Sequence, residues 1–286
     1  AIDKAGIDPG EIDVVLGTTE EWREYLLWTT AIDLAWELGA HNAWGIDVHT
    51  RCATTIAAMQ MARGLMADDP GIDTVLIAGG YATSHFIDLT DLDTSFLFNI
   101  GAGAGAMLLK RDWMENRVLG IHLLADGMMS RHVVVPSSGT VRHPDDAAVE
   151  RGEFKFRLVE PEKMKARLGE VSIPNWLKCI DIALERSGST PDGRPFTRAD
   201  IDFLNMTLIK PSGHREMLQH LGLTAEQSVY LSEVGHIGEQ DAMINIEAGL
   251  EQGRLKAGDT MAVLAAGIGY IWGGAIVQWG PFGAQP

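Results

Sequence analysis

Strand-like and helix-like segments alternate along this chain, and the same alternating plan occurs twice. In the first copy, the apolar pattern predicts strands at about 12–18, 43–49, 73–79 and 103–110 and helices at about 29–38 and 52–66. In the second copy, it predicts helices at about 172–187, 212–221 and 240–252 and strands at about 201–208, 228–232, 259–266 and 272–279. Such alternation is typical of α/β proteins, whose helices cover the faces of sheets. The chain is therefore predicted to be an α/β protein built from two related halves.

Sequence similarity between the copies supports the duplication. Residues 11–15 (EIDVV) are similar to 200–204 (DIDFL), and 73–80 (DTVLIAGG) are similar to 259–267 (DTMAVLAAG). The halves are predicted at 1–165 and 166–286. The first includes a long excursion at about 117–165, where the periodicity fades and histidine, proline and charged residues accumulate. We expect this excursion to lie over the surface as a lid or an interface.

The composition restricts the partners. The 39 acidic residues outnumber the 23 Lys and Arg residues, which gives a net charge of −16. This balance disfavours nucleic acid and any strongly acidic protein as a partner. No apolar run is long enough to cross a bilayer and the opening is not a signal peptide, so no membrane partner is expected. Two cysteines are too few for a disulfide framework, and they indicate a reducing, cytoplasmic location.

The start of the chain has the pattern of a helix end. Residues 1–6 finish at a glycine, and the turn at 8–10 (DPG) leads into the first predicted strand. We therefore expect further residues upstream of position 1.

Cys52 is the first candidate for catalysis. It follows the predicted strand at 43–49 and begins the helix at 52–66. A helix N-terminus favours a thiolate, and a thiolate is nucleophilic. The alternative is that Cys52 is a small buried apolar residue. Cys179 lies within a predicted helix and is expected to be part of the core.

His236 is the second candidate. It lies between two glycines in VGHIG, directly before the helix at 240–252, where the backbone can approach a ligand closely. If the halves pack about a pseudo-twofold axis, the starts of the two helices face each other, and His236 lies opposite Cys52 as a general base or hydrogen-bond donor. The alternative is a loop histidine bonded to the backbone.

Two further segments are candidates for the same centre. His214 follows a predicted helix start at 211–212, and it could either point into the centre or lie in solvent. The glycine-rich turn at 265–274 exposes backbone N–H groups that can form an oxyanion hole. It lacks the Lys-Ser/Thr of a P-loop, and no metal-binding spacing of the HxxxH or CxxC kind occurs, so neither a metal nor a cofactor is predicted.

Taken together, these segments resemble the thiolase superfamily, and within it the β-ketoacyl-ACP synthase III-like condensing enzymes. The resemblance is carried by 5–9 with 12–19, by 47–52, by 98–106 (FNIGAGAGA) and by 252–259 with 267–273 (GIGYIWG). It implies a five-layer αβαβα sandwich of two halves, usually a homodimer, with the reactive cysteine at the start of a buried helix. It also implies a strand and a helix before position 1, which fits the expectation of further residues upstream.

The resemblance assigns roles to individual residues. Cys52 matches the family's nucleophile, but His236 occupies the position of the family's Asn and Thr207 that of its His. Thr207 is thereby a candidate substrate-binding residue, and His214 lies seven residues beyond it as a possible substitute. A related branch, 3-hydroxy-3-methylglutaryl-CoA synthase, uses a Glu after the first of these strands, which suggests Glu20 as an acid or base.

The sequence therefore predicts an acyltransferase. The Cys52 thiol would attack an acyl thioester, and the backbone N–H groups of Cys52 and Ile268 would hold the oxyanion beside Gly267 and Gly269. A carbon–carbon bond of a 3-oxoacyl thioester would then form or break. Coenzyme A is the expected carrier, because an acyl carrier protein is acidic and so is this chain.

An alternative from another class is a non-catalytic subunit. Such a chain would keep the fold and pair with an active condensing enzyme or with a zinc-bearing acyl-CoA-binding protein. The departure at Thr207 favours this alternative, whereas the presence of Cys52 and His236 disfavours it.

Overall fold

The computed structural model describes residues 1–281. Its helices are α1 (Ile2–Ala5), α2 (Thr30–Glu37), α3 (Thr54–Asp68), α4 (Asp146–Glu150), α5 (Pro161–Glu185), α6 (Pro211–Leu221) and α7 (Asp241–Glu251). Its strands are β1 (Val14–Gly17), β2 (Trp44–Asp47), β3 (Thr74–Tyr81), β4 (Gly103–Lys110), β5 (Glu115–Ala125), β6 (Val133–Val134), β7 (Arg157–Leu158), β8 (Phe203–Met206), β9 (Thr260–Gly267) and β10 (Ile271–Pro281). Each predicted strand and helix of the first half is present to within a few residues.

Two four-stranded sheets form the framework. The first has the order β2-β1-β3-β4, in which β1 runs parallel to β2 and β3, and β4 is antiparallel to β3. The second has the order β5-β10-β9-β8, in which β8 and β9 are parallel and the other pairs are antiparallel. Parallel strands joined through helices require both faces of a sheet to be covered.

Three apolar clusters show how the layers stack. The central cluster joins α3 and α7 to the facing sides of both sheets, with Ile56, Ile77 and Val263 among its buried members. A second cluster packs α5 and α6 on the outer face of the second sheet, and a third packs α2 on the outer face of the first. The order is helix, sheet, helix, sheet, helix, which confirms the predicted five-layer sandwich.

The structure differs from the sequence prediction around the middle of the chain. Residues 115–125 are not part of an excursion: β5 is a long strand that pairs with β10, so it belongs to the second sheet. Its pattern was obscured because it is an edge strand with a half-exposed face that carries Arg117 and His122. The excursion proper spans about 126–160 and contains β6, β7 and α4.

Two predictions in the second half also need correction. Helix α5 begins at Pro161 rather than near 172, and it continues through Pro174, a residue that usually ends a helix. The predicted strand at 228–232 contributes only a bridge between Ser228 and Leu204. Within residues 1–281, no helix combines the length and the apolar character needed to cross a membrane.

Candidate active site

Cys52 lies in a tight turn immediately before α3. The turn spans Arg51–Ala53 and is fixed by the Thr54 hydroxyl, which donates to the Arg51 carbonyl (2.6 Å) and accepts from the Thr50 N–H (2.9 Å). Arg51 has a φ of 56°, which is unusual for a residue with a side chain. This local geometry presents the half-buried Cys52 side chain to the space between the two halves.

His236 meets Cys52 from the second half, as the sequence predicted. The distance between His236 Nε2 and Cys52 Sγ is 3.1 Å. The His236 backbone is held by the first half, because its N–H donates to the Asn99 carbonyl and its carbonyl accepts from the Gly101 N–H, both at 2.8 Å. At Gly238, with φ 57°, a Cβ would lie 2.4 Å from the Tyr81 ring, so only glycine allows this approach.

Asp241 completes a triad that the sequence analysis missed. Its Oδ2 lies 2.6 Å from His236 Nδ1, and it also accepts from the Thr207 hydroxyl (2.9 Å) and the Leu208 N–H (2.8 Å). Its Oδ1 accepts from the Ile237 N–H at 2.7 Å. An ionised carboxylate can only accept, so the proton of this imidazole lies on Nδ1 and Nε2 faces the sulfur.

The electrostatics of the triad favour a protonated His236 beside an ionised Asp241. Burial alone would lower the pKa of His236, but the nearby charges of Cys52 and Asp241 and the hydrogen bonds to them hold that pKa well above its usual range. Burial would likewise raise the pKa of Asp241, yet the charge of His236 and the hydrogen bonds to the carboxylate keep it below its ordinary value. The buried carboxylate therefore supports an imidazolium beside the sulfur.

Glu20 lies beside the same centre and is buried. Its Oε2 is 3.3 Å from Arg51 Nη1 and 3.7 Å from His49 Nε2. Burial, followed by the charges of Glu239 and Cys52, raises the pKa of Glu20 well above its ordinary value. Glu20 lines the same cavity as Cys52, and its neighbour Glu239 was not anticipated.

His214 does not enter this centre, contrary to one of the two sequence interpretations, and it does not lie in solvent either. Its Nε2 is 3.0 Å from the Ser228 hydroxyl, its ring packs edge-on to Tyr230, and it is buried. Burial lowers the pKa of His214. The reason is its place in the first turn of α6, a helix that packs on the outer face of the second sheet and not between the sheets.

The remaining predicted residues lie close by with different contacts. Thr207 is buried, and its hydroxyl bonds to Asp241, so it belongs to the triad's hydrogen-bond network. A Cβ on Gly267 would lie 2.5 Å from the Thr50 carbonyl, which shows how closely the glycine-rich turn packs on the turn before Cys52. Ile268 lines the cavity beside Cys52, and Gly269 adopts a φ of 134° in the same turn.

A cavity of about 1710 Å³ opens onto the triad. Its walls include the apolar side chains of Phe96, Val133, Val159, Ile173 and Trp176 and, near the triad, Cys52, His236 and Ile268. Part of one wall comes from residues 130–142 of the excursion. This volume exceeds that of an ordinary small-molecule site, so it can hold a large apolar group as well as a second reactant.

One cluster has the composition of a cation site. Glu20, Glu21 and His49 offer ligand atoms within 4.8 Å of one another. The Arg51 guanidinium contacts both carboxylates, so it already supplies the positive charge that a cation would bring. The donor set thus fits an ion-pair network better than a metal.

Asp241 follows His236 by five residues at the start of a helix, but this position alone does not distinguish it from an ordinary acidic residue of a first turn.

Two models from one protein family match this chain. The model of the N-terminal part of 3-oxoacyl-[acyl-carrier-protein] synthase III matches residues 46–127, and the model of its C-terminal part matches 193–279. Together they match more than half of the chain.

Curated relatives include the β-ketoacyl-[acyl-carrier-protein] synthases III of Campylobacter curvus, at 27% identity, and of Syntrophomonas wolfei, at 26%. Each comparison covers 98% of this chain and 80% of the relative. Among solved structures, 3-oxoacyl-(acyl carrier protein) synthase III from Pseudomonas aeruginosa is similar at a TM-score of 0.79 and 22% identity, over 100% of this chain and 81% of that one.

A variant of OleA from Xanthomonas campestris is similar at a TM-score of 0.75 and 20% identity, over 98% of this chain and 79% of that one. These likenesses support the five-layer thiolase fold. The family models, together with the named relatives, show that the chain belongs to the 3-oxoacyl-[acyl-carrier-protein] synthase III family of acyltransferases.

Proposed function

We propose that the chain transfers an acyl group from a thioester to Cys52 and from Cys52 to an acceptor. The observation that carries this proposal is the 3.1 Å distance between Cys52 Sγ and a His236 ring that is bonded to Asp241. His236 takes the thiol proton, and the thiolate attacks the thioester carbonyl. As the tetrahedral intermediate collapses, the departing thiolate takes that proton back from His236, and the acyl group stays on sulfur.

The oxyanion of this intermediate needs hydrogen-bond donors. The backbone N–H groups of Cys52 and Ile268 are the proposed donors. The close packing of Gly267 on Thr50 and the position of Ile268 in the cavity wall support this assignment. Gly269 provides the turn that carries Ile268, and Gly267 provides the close approach.

For the second half-reaction, a carbon acceptor follows from the family membership. An enolate derived from a second thioester would attack the Cys52 acyl group and form a 3-oxoacyl thioester, and the reverse reaction would cleave one. His236 and Glu20 are the groups available to stabilise the enolate oxygen or move its proton. The cavity has room for both reactants.

The triad favours a second candidate, in which the acceptor is a hydroxyl or an amine. With Asp241 fixing Nδ1, His236 presents a single basic nitrogen to the sulfur, and this arrangement can remove a proton from an O–H or N–H acceptor. The Thr207 hydroxyl is bonded to Asp241, so it is not free to donate to an enolate. The product would then be an ester or an amide.

Product analysis separates the two candidates. The purified chain is incubated with an acyl-CoA and either malonyl-CoA or a set of alcohols and amines, and the products are identified by mass spectrometry. A 3-oxoacyl thioester supports the carbon acceptor, and an ester or amide supports the oxygen or nitrogen acceptor. An enzyme that releases only the free acid in every combination would contradict both.

We propose coenzyme A as the carrier of the acyl donor. The net charge of −16 opposes docking of an acidic carrier protein, whereas Arg131 and Lys210 line the cavity and can face phosphates. The curated relatives are named for acyl carrier protein, so both donors are compared directly. Faster acylation of Cys52 by acyl-CoA than by the same acyl group on a carrier protein supports the proposal, and the reverse order overturns it.

A homodimer is the proposed assembly. Strand β2 is an edge of the first sheet, and its Trp44 and Ile46 are 47% and 41% exposed. An exposed apolar edge strand can be covered by a second copy. Light scattering should give the mass of two chains, and Trp44→Glu should shift it towards one. A monomer at micromolar concentration, or assembly only with another thiolase-related subunit, would overturn the homodimer.

The same triad argues against the non-catalytic subunit, because a subunit that catalyses no reaction does not need a thiol, an imidazole and a carboxylate in line.

A reducing, cytoplasmic location is the proposed setting. It fits the proposed reaction, because Cys52 and Cys179 are both free and acyl transfer needs the reduced thiol.

A further inference from the structure

Two buried glutamates meet behind the triad, one from each half of the molecule. Glu20 follows β1, and Glu239 lies in the short turn Gly238–Gln240 before α7. Their side chains are 4% and 1% exposed. After burial, the charge of Glu239 is what most raises the pKa of Glu20, so the two carboxyl groups lie beside each other. Glu20 lines the cavity and Glu239 does not, so Glu239 supports Glu20 from the side away from the cavity.

The pair lacks the donors that two buried carboxylates would require. Glu20 Oε1 and Glu239 Oε2 have no donor within hydrogen-bonding reach. Of the oxygens of the pair, the Gln240 amide donates to Glu239 Oε1 alone, at 3.2 Å. The Arg51 guanidinium is the cation beside Glu20, but it also contacts Glu21. A hydrogen bond between two carboxyl groups needs a proton, because carboxylate oxygens can only accept. The unpartnered oxygens are therefore explained if the two carboxyl groups share a proton.

The other titratable neighbours do not remove this requirement. The charged or titratable groups that face the pair are Arg51, Glu21, His49, Cys52, Tyr81, His236 and Asp241. The positive charge of His236 is already balanced by Asp241, whose Oδ2 lies 2.6 Å from His236 Nδ1. Consistent with a protonated pair, burial raises the pKa of Glu239 to about 8.

We propose that Glu239 is a positioning residue that keeps Glu20 protonated at neutral pH, so that Glu20 offers a neutral carboxyl O–H to a reacting oxygen in the cavity. This inference rests on the proposed acyl transfer. Glu239 shares the proton and makes ionisation of Glu20 unfavourable. Glu20 donates a hydrogen bond to the oxygen that gains negative charge, and no proton leaves the pair. Glu20 is thereby a donor, not a base, in the resting enzyme.

The decisive experiment is the pH profile of kcat/KM for Glu239→Gln beside the wild type. Gln keeps the size of the side chain, but its N–H group can stabilise an ionised Glu20. The alkaline limb should therefore move to lower pH by about one unit or more. A role confined to packing would lower the rate equally at all pH values and leave the limb in place, and that result overturns the inference.

Glu233→Gln is the matched control. It removes one carboxylate from the same segment, but Glu233 is exposed in the loop before His236. Its profile should match that of the wild type. A shift of the limb in this variant equal to that in Glu239→Gln would mean that net charge, not the carboxyl pair, sets the profile, and would also overturn the inference.

Two further measurements keep the result interpretable. If Glu239→Gln does not fold, infrared difference spectra of wild type labelled with ¹³C-glutamate should show a protonated carboxyl at pH 7 that disappears on raising the pH, and its absence overturns the inference. Mass spectrometry of Cys52 after exposure to acyl-CoA is run on the same samples. No adduct in wild type means that the proposed function fails, whereas an adduct with an unmoved limb means that only the role of Glu239 fails.

Discussion

The two halves of the molecule use the same element for different purposes. In each half a short turn leads into the helix that packs between the sheets: Arg51–Ala53 before α3 and Gly238–Gln240 before α7. The first turn carries a thiol. The second lies between the imidazole of His236 and the carboxylate of Asp241 that holds it.

The comparison shows why neither half forms the site alone. The repeated fold brings two helix N-termini to one centre, where both favour negative charge. Divergence of the side chains then divides the chemistry. The first half offers the group to be acylated, and the second half offers the base and its anchor. The Glu20–Glu239 pair follows the same division, with one carboxyl from each half.

The largest expected effect comes from Asp241, the residue of the second half that holds His236. Asp241→Asn should lower kcat by about 100- to 10,000-fold, because the amide allows the wrong tautomer of His236 and removes the charge that stabilises its protonated form. Steady-state kinetics measure this loss.

Asp47→Asn is the control from the first half. Asp47 also accepts two backbone N–H bonds, from Thr30 and Ala31, but it contacts no catalytic histidine. It should lose about 1 kcal/mol of stability and keep its rate within a few-fold. Equal losses of rate in the two variants would mean that the hydrogen bond from Asp241 to His236 has no catalytic role of its own.

The next effect compares one cysteine from each half. Iodoacetamide should alkylate Cys52 at least about 100-fold faster than Cys179, because Cys52 faces a cavity beside His236. Burial in α5 raises the pKa of Cys179 to about 12. Peptide mapping after timed quenching gives both rates. Similar slow rates would instead favour the non-catalytic subunit.

A pH effect on stability follows from Glu239. Its pKa is about 8 in the folded protein and near its ordinary value of 4.5 in the unfolded chain. Between these values the folded state holds a proton that the unfolded state has lost, so the wild type loses stability as the pH rises. The Gln of Glu239→Gln cannot titrate. The free energy of unfolding of this variant, relative to that of the wild type, should therefore rise by on the order of 3 kcal/mol between pH 4.5 and pH 8. Urea titrations at several pH values measure the difference, and a constant gap would contradict the expectation.

The smallest effect concerns a histidine that lies away from the centre. His214→Gln should keep the rate within about two-fold and cost about 1 kcal/mol of stability, because it disturbs the hydrogen bond to Ser228 and the ring contact with Tyr230, both away from the triad. A hundred-fold loss of rate, with the fold shown intact by circular dichroism, would mean that His214 acts in catalysis.

Much of this arrangement is predictable from the sequence. The resemblance to the thiolase superfamily implied the five layers. Alternating segments predicted an α/β protein of two related halves, and the strand–turn–helix positions of Cys52 and His236 predicted their meeting. The halves and the positions of these two residues depend on local periodicity and on a repeat, and both can be recognised in the sequence itself.

The features that were missed depend on contacts across the interior. Asp241 has the pattern of an ordinary acidic residue in the first turn of a helix, and only the fold shows that its carboxylate faces His236. Glu239 becomes unusual only when Glu20 is brought against it. Strand β5 was missed because an edge strand with a half-exposed face lacks a strong apolar pattern.

The meeting of the two halves is tested most directly by trapping the acyl group. Wild type, Cys52→Ala and Asp241→Asn are mixed with an acyl-CoA, quenched within seconds and mapped by mass spectrometry. We predict one acyl group on Cys52 in wild type, slow formation of the same adduct in Asp241→Asn and none in Cys52→Ala. An acyl group that persists in Cys52→Ala, or no adduct in wild type with any acyl-CoA, would contradict acyl transfer by a thiol from one half and an imidazole from the other.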